Sequence, residues 1–312
     1  MELNLVGDFS EAMRENEEMV SFWIGPSSEA IGLAVAKTSA AGPFSEGEGI
    51  GLADRSYDAS VVVHDGIAIR RTELRELDIA FPIVQVLPNQ ELLVVGTRCE
   101  RREDGSYDRN GRVFGPDGVL RREFLLGDGI QDVQTTRDGQ IWVSYFDEGI
   151  FGNLGWGNPG GPEPVGSEGL VRFDANGDLN WGYKPPPLAG YIADCYALNV
   201  TDSATWAYYY TDFPLVRISP DDTIEAWHTP VAGARAVAVS DKRALFYGGY
   251  GNDRSRCVLC EFGLLRRVNE VAQVTLGLPD SVPLPTHRVV ARGSMLHAMV
   301  GTAWYQRDLQ AF

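Results

Sequence analysis

Residues 111–124, GRVFGPDGVLRREF, decide the fold, because the phrase returns at 169–183 as GLVRFDANGDLNWGY and at 214–228 as PLVRISPDDTIEAWH. Each copy reads as a short apolar strand, a tight polar turn and a second strand that ends on aromatic side chains. A hairpin that recurs roughly every 45–60 residues is the signature of four-stranded sheets repeated around an axis, the β-propeller architecture.

The segments between the hairpins supply the other two strands of each sheet. A first, core-directed strand recurs as FPIVQVL (81–87), QDVQTT (131–136), DCYALNV (194–200), ARAVAV (234–239) and HRVVAR (287–292). Each is followed by a polar turn and a second apolar strand: LLVVG (92–96), IWVSYF (141–146), TWAYYY (205–210), ALFYGG (244–249) and LHAMVG (296–301). Trp142 and Trp206 fall at the same register in two of them. Strands bounded by turn residues at such regular spacing predict an all-β chain.

The last unit ends near Gln310, after its third strand. N-terminal segments (VSFWI, AIGLAVAK, SVVVHDG and IAIRRTEL) must then complete it or form a further blade. Mixing N- and C-terminal strands in one sheet removes the free edges that invite aggregation. Six blades fit best, with five blades or a two-sheet sandwich as alternatives. Ahead of the propeller, taken as residues 20–312, the acidic segment 1–19 is expected to carry a short amphipathic helix over 8–19. Asp8 would cap it, and Glu11 would complete a capping box. The Gly/Ser/Glu-rich connection between Thr38 and Asp58 reads as a surface loop or a mobile lid.

The chain is 312 residues long with a net charge of −16, and residues 1–60 hold eleven Asp/Glu against three Lys/Arg. Such a surface repels phosphate backbones and anionic lipid headgroups, which argues against nucleic-acid and membrane partners. It is compatible with a basic protein, a cation or plain solubility. The first nineteen residues have no basic n-region and no apolar h-region, so they are not a secretory signal. No stretch has the roughly 20 apolar residues of a membrane span. With four cysteines, too few for a disulfide scaffold, the expected location is the cytosol.

In a propeller, the loops entering the innermost strand and those joining the second and third strands converge on one face. Here these are LGDGIQD (126–132), PLAGYIAD (187–194), TPVAGAR (229–235) and LPTHR (284–288), with TRCERREDGSYDRN (97–110), FDEGIFGNLGWGNPGG (146–161), TDFP (211–214) and GYGNDRSR (249–256). Their Asp, Glu, Arg, Tyr and Trp suit a polar ligand pocket with aromatic walls. Asp132 and Asp194 stand at the entrance to inner strands, and Asp147 and Asp212 just after second strands. Converging carboxylates could hold Ca²⁺ or supply a general base. Turn capping and ion pairing are the ordinary alternatives for each. Glu148, Trp156 and Arg235 are further candidates for ligand contact, Trp156 as the side chain presented by a flexible GNLGWGNPGG loop.

The remaining signals are slight. Cys257 and Cys260 lie three apart on a strand, on opposite faces, and read as buried structural residues. Of His64, His228, His287 and His297, only His287 falls at an expected channel position. No GxSxG, phosphate loop or dinucleotide fingerprint occurs.

GDGIQDVQTTRDGQIWVSYFDEG (127–149) resembles blade sequences of gluconolactonase/lactonase-type and NHL-type propellers and of the sensor propellers of bacterial two-component regulators. The resemblance spans roughly residues 80–250 at the level of blade pattern. It implies a channel calcium held at inner-strand starts, where Gln131–Asp132 and Asp194 would lie, with Asp212 beside them as ligand or base. Arg235 replaces the Asp ligand which that pattern expects. The functional expectation is a noncatalytic propeller binding a protein or small polar ligand on its loop-rich face. A divalent-metal hydrolase or lactonase, and a propeller lyase or tailoring enzyme, are the alternatives.

Overall fold

A computed structural model describes residues 2–38, 52–157, 159–279, 282, 284 and 289–311. The loop expected between Thr38 and Asp58 lies largely outside them, and so does His287. The backbone forms six four-stranded antiparallel sheets, the blades of a six-bladed β-propeller. The chain divides into two compact units, residues 9–183 and residues 1–8 with 184–312. The first strand in the chain, β1 (Asn4–Asp8), belongs to the second unit.

Unit 9–183 contains three blades, each a meander of consecutive strands. The first is β2 (Glu17–Ile24), β3 (Ala30–Ala36), β4 (Leu52–His64) and β5 (Ile69–Ile79). The second is β6 (Pro82–Val86), β7 (Leu92–Gly96), β8 (Gly111–Phe114) and β9 (Leu120–Phe124). The third is β10 (Ile130–Thr135), β11 (Ile141–Tyr145), β12 (Leu170–Phe173) and β13 (Leu179–Gly182), with the one-turn helix α1 (Asp147–Phe151) after β11. Ile31, Leu33, Val61, Leu74, Val84, Leu92 and Val94 interleave between the first two blades and are nearly inaccessible. Burying each such side chain is worth about 1.5–3 kcal/mol.

The second unit carries three more. They are β14 (Asp194–Val200), β15 (Thr205–Tyr210), β16 (Leu215–Ile218) and β17 (Ile224–Trp227), then β18 (Ala236–Val239), β19 (Arg243–Tyr247), β20 (Cys257–Phe262) and β21 (Val268–Val274). The last blade is β22 (Val289–Arg292), β23 (Met295–Val300), β24 (Ala303–Asp308) and, outermost, β1. N- and C-terminal strands thus share a sheet as expected. The closing strand is NLVGD at 4–8, while VSFWI to IAIRRTEL build a blade of their own.

The amphipathic helix expected over 8–19 is corrected. Only Ser10–Ala12 make a single 3-10 turn, and Glu17 already begins β2. Glu17 is held there by the Arg71 guanidinium at 2.6 Å, and Arg71 also meets Glu73 at 2.8 Å and the Ala12 carbonyl at 2.6 Å. The Arg71 hydrogen bond, and after it the Arg14 backbone N–H at 2.9 Å, keep the Glu17 carboxyl below its ordinary pKa. The charged pattern read as the polar face of a helix is an ion-pair ladder across a sheet.

The recurring hairpin is one turn made three times. The amides of Gly115, Asp174 and Ser219 donate to the carbonyls of Val119, Asp178 and Thr223, and Gly118, Gly177 and Asp222 donate back to the first residue. The last three adopt φ of 77°, 88° and 63°, the left-handed residue of a type I turn with its bulge. At position 118 only glycine fits, because a Cβ there would stand 2.1 Å from the Glu73 carbonyl oxygen.

Inner strands are stitched by amide side chains. In unit 9–183, Gln85 of β6 donates to the Ile24 carbonyl at 3.4 Å. It also accepts from the backbone N–H and the hydroxyl of Thr135. In the other unit, Asn199 of β14 donates to the carbonyls of Val237 and Gly293 at 2.8 Å each and accepts the Gly293 N–H at 2.7 Å. Among the described residues no helix is long and apolar enough to cross a membrane.

Candidate functional site

The loops of unit 9–183 singled out by sequence are braced against one another. Asp128, nearly inaccessible, accepts Arg98 Nε at 2.9 Å, Arg98 Nη2 at 3.1 Å and the Cys99 N–H at 2.8 Å. Arg98 reaches on to Glu148 at 2.7 Å and lies 5.6 Å from the centre of the Phe146 ring. The Asn153 amide, and after it Arg98, hold the Glu148 carboxyl below its ordinary pKa. Trp156 is 7% exposed and its Nε1–H donates to the Cys99 carbonyl at 2.9 Å. The expectation of a presented Trp156 is therefore corrected: the indole is an anchor that pins loop 152–157 to loop 97–110. Asp147 is exposed and accepts the next backbone N–H at 2.8 Å. Asp132 turns back on its own strand, accepting the Val133 N–H at 2.8 Å and Gln134 Nε2 at 3.2 Å.

In the other unit, three of the sequence candidates fall beside a cluster of aromatic rings. Asp194 opens β14 and pairs in register with Tyr210. The register then slips between Cys195 and Ala197, leaving Tyr196 as the extra residue of a β-bulge. A bulge re-aims its side chain, and here it sends the Tyr196 phenol out to meet the Tyr250 hydroxyl at 2.7 Å. Phe213, next to Asp212 in the β15–β16 turn, packs edge-on to Tyr196 at 5.2 Å and stacks on Tyr208 at 5.4 Å. It also contacts Tyr210 at 5.8 Å and Tyr250 at 6.3 Å. Asp212 and Phe213 both hold left-handed backbone, with φ of 62° and 50°, and the Phe213 carbonyl is clamped by the Thr229 hydroxyl at 2.9 Å.

This cluster has a buried floor and an open surface. Tyr208 is fully buried and donates to the Val231 carbonyl at 2.7 Å. Tyr250 and Tyr210 are 56% and 48% exposed, and Tyr191 and Leu188 on the preceding loop are exposed as well. That loop is tied down by Tyr209, whose hydroxyl donates to the Gly190 carbonyl at 3.0 Å. The Tyr250 ring lies on Gly233, where φ is 73° and an added Cβ would come within 2.7 Å of the ring. Burial, and then the bond to Tyr250, push the Tyr196 phenol well above its ordinary pKa, so it stays protonated. Arg235 is exposed, forms no ion pair among the described residues and is close enough to act on the Tyr196 phenol.

No group of three His, Cys, Asp or Glu side chains able to hold a metal ion forms among the described residues. Asp132 belongs to unit 9–183, and Asp194 and Asp212 belong to the other. Cys257 and Cys260 are free, buried thiols, pushed up to about 12 by desolvation.

The sequence singles out the loops TDFP and GYGNDRSR, but of their residues only Asp212. It missed Tyr196, Tyr210, Phe213 and Tyr250. The tyrosines of DCYALNV and TWAYYY were counted only as strand formers, and a bulge leaves no mark in a strand's apolar pattern.

A family model described as the YxzG family matches residues 169–307, which is less than half of the chain. No curated protein sequence matches it. The fold is similar to virginiamycin B lyase from Staphylococcus aureus, with 11% identity over 98% of this chain and 98% of that one and a TM-score of 0.47. It is similar to the β-propeller domain of the Trilobed protease from Pyrococcus furiosus, with 10% identity over 95% and 82% of the two chains and a TM-score of 0.47. For AztD from Citrobacter koseri the identity is 11% over 93% and 83%, with a TM-score of 0.42. The propeller fold itself rests on the strand pairing described above.

Proposed function

We propose that this chain is a noncatalytic binding propeller that captures a polypeptide on the surface formed by Tyr196, Tyr210, Phe213 and Tyr250. The observation that carries the reading is the hydrogen-bonded pair of a partly buried Tyr196 and an exposed Tyr250 held over a buried aromatic floor. Tyrosine gives a large contact area with little conformational entropy to lose, and Tyr and Arg are over-represented among residues that dominate binding energy. Arg235, exposed beside the rings and without an ion pair among the described residues, suits a carboxylate or C-terminal group of the partner. Asp194 and Asp212 at the margin would select against a second acidic group there. A cytosolic setting belongs to the same proposal, and four buried cysteines outside any disulfide among the described residues are compatible with it.

The test is selection from a random peptide display library on the wild-type protein after depletion on Tyr250→Ala. Tyr250 is largely exposed, so the variant keeps its fold. Enrichment of acidic, apolar-flanked peptides that ignore the variant supports the reading. No enrichment, or the same peptides recovered on both proteins, would sink it.

A further inference from the structure

A second recess in unit 1–8/184–312 uses none of the residues of that surface. It has a volume of about 440 Å³. Its polar side is built from the turns that join first to second strands, with Thr201, Ser203, Ser240, Asp241 and Ser294. Its other side is a wall of three rings. Trp206 of β15 lies 5.6 Å from Trp227 of β17, and Phe262 at the end of β20 lies 5.7 Å from Trp206 and 5.3 Å from Trp227. The Arg217 guanidinium sits 6.0 Å from the centre of Trp206, and Arg266 sits 5.1 Å from that of Trp227. Both arginines are engaged by Glu225, at 3.2 Å and 2.7 Å.

This wall is an elaboration of a structural feature. In unit 9–183, Trp142 takes the same strand position as Trp206, with Arg172 opposite it and 5.3 Å from its ring. There the indole is 4% exposed. In the β14–β17 blade, Trp206 and Trp227 instead border an open recess.

We propose that the recess binds a carbohydrate, with a pyranose ring lying against the Trp206–Trp227–Phe262 wall and its hydroxyls directed to the Ser/Thr/Asp side. Three other ligand classes fit worse. A cation would meet Arg217 and Arg266, one of which already lies over each indole, and would be repelled by them. An anion would face Asp241, which has no ion pair among the described residues, while Arg217 is committed to Glu225. The hydroxyls already donate within the protein, Thr201 to the Ala204 carbonyl, Ser240 to the Arg243 carbonyl and Ser294 to Asp308, so with Asp241 they serve a ligand as acceptors, and a flat heterocycle would match the rings but offer few donors to them. A pyranose has both characters: an apolar C–H face for the electron-rich ring faces and an edge of hydroxyls that donate and accept. The volume is in the range of small-ligand sites.

The test is calorimetric titration of the full chain with a panel of methyl glucopyranoside, galactopyranoside, mannopyranoside and N-acetylglucosaminide and their common disaccharides. Intrinsic tryptophan emission is followed in parallel, because two indoles line the recess. At least one sugar should bind saturably. Asp241→Ala, at an exposed position, and Ser203→Trp, which fills the recess, should each weaken it about tenfold or more. Tyr250→Ala should leave it unchanged. Absence of any saturable sugar binding below about 10 mM overturns the proposal. So does binding that survives both recess variants, or a preference for adenosine or indole with no response to sugars.

Discussion

Tyr196 shows what one extra residue in a strand accomplishes. Without the bulge between Cys195 and Ala197, alternation would fix that side chain's face, and the phenol could not reach Tyr250. Trp156 is the opposite case: a glycine-rich sequence suggested exposure, but the indole is buried with its N–H bonded to the Cys99 carbonyl. Trp156→Ala should cost about 3 kcal/mol or more of stability, read by chemical denaturation, whereas Tyr250→Ala, which loses the Tyr196 hydrogen bond and ring contacts, should cost about 1–2 kcal/mol. His297 makes a further residue-scale prediction. It is fully buried, accepts the Trp304 indole N–H at 3.2 Å and stacks on that ring. Burial, with a smaller contribution from Arg292, lowers its pKa from 6.5 to about 3. Between those values the unfolded chain holds a proton that the folded chain does not, so stability rises with pH across the window. This contribution is complete above about pH 6.5 and should fall by about 1.4 kcal/mol per unit on acidification towards pH 3. His297→Gln should flatten that slope in denaturation midpoints taken from pH 7 to pH 4, and an unaltered slope would refute the assignment.

At the scale of elements, the hairpin was the most legible part of the chain because its chemistry is local. Gly118, Gly177 and Asp222 fill the same left-handed position in three turns with the same pair of backbone bonds. Gly118→Ala should destabilise by about 1–3 kcal/mol, since both its φ and the Glu73 carbonyl exclude a Cβ. Asp222→Gly should be neutral or stabilising by about 0.5 kcal/mol, because it relieves a non-glycine residue at positive φ. Thermal melts of the two variants check the pair, and a Gly118→Ala protein as stable as wild type or a clearly destabilised Asp222→Gly protein would contradict the turn assignment. The helix expected over 8–19 failed for a reason that sequence alone conceals. Glu17 and Glu18 alternate along a strand, and the cation that neutralises Glu17, Arg71, is 54 residues away. Arg71→Met leaves that carboxylate partly buried without its partner and should cost about 3 kcal/mol, measured as a fall in denaturation midpoint at pH 7 that shrinks at acid pH.

For the whole molecule, repeat spacing favours six blades and leaves five open, whereas the shared sheet of N- and C-terminal strands follows from the need to leave no sheet edge open. Which segment supplied the closing strand could not be read from spacing, because NLVGD is too short to carry a periodic pattern. Deleting residues 1–8 removes β1 from β24. It should lower the melting temperature by several degrees and promote self-association, visible by light scattering. The proposed binding surface was half legible. Loops 211–214 and 249–256 were located, and Asp194, Asp212 and Arg235 do stand beside the rings. The aromatic cluster itself depends on tertiary approach of Phe213 to Tyr250, which no spacing in the chain encodes. Carboxylates were over-weighted for the same reason: Asp132 and Glu148 look free in sequence and are satisfied by neighbours in space.

The most direct measurement is the calorimetric affinity of a library-selected peptide for wild type, Tyr250→Ala and Arg235→Ala, with melting temperatures taken on the same samples. The account predicts a loss of about thirtyfold for Tyr250→Ala, the 2 kcal/mol of a dominant contact, and a clear loss for Arg235→Ala, with all three proteins fully folded at the assay temperature. Equal affinity across all three proteins would contradict it and place peptide capture elsewhere on the chain.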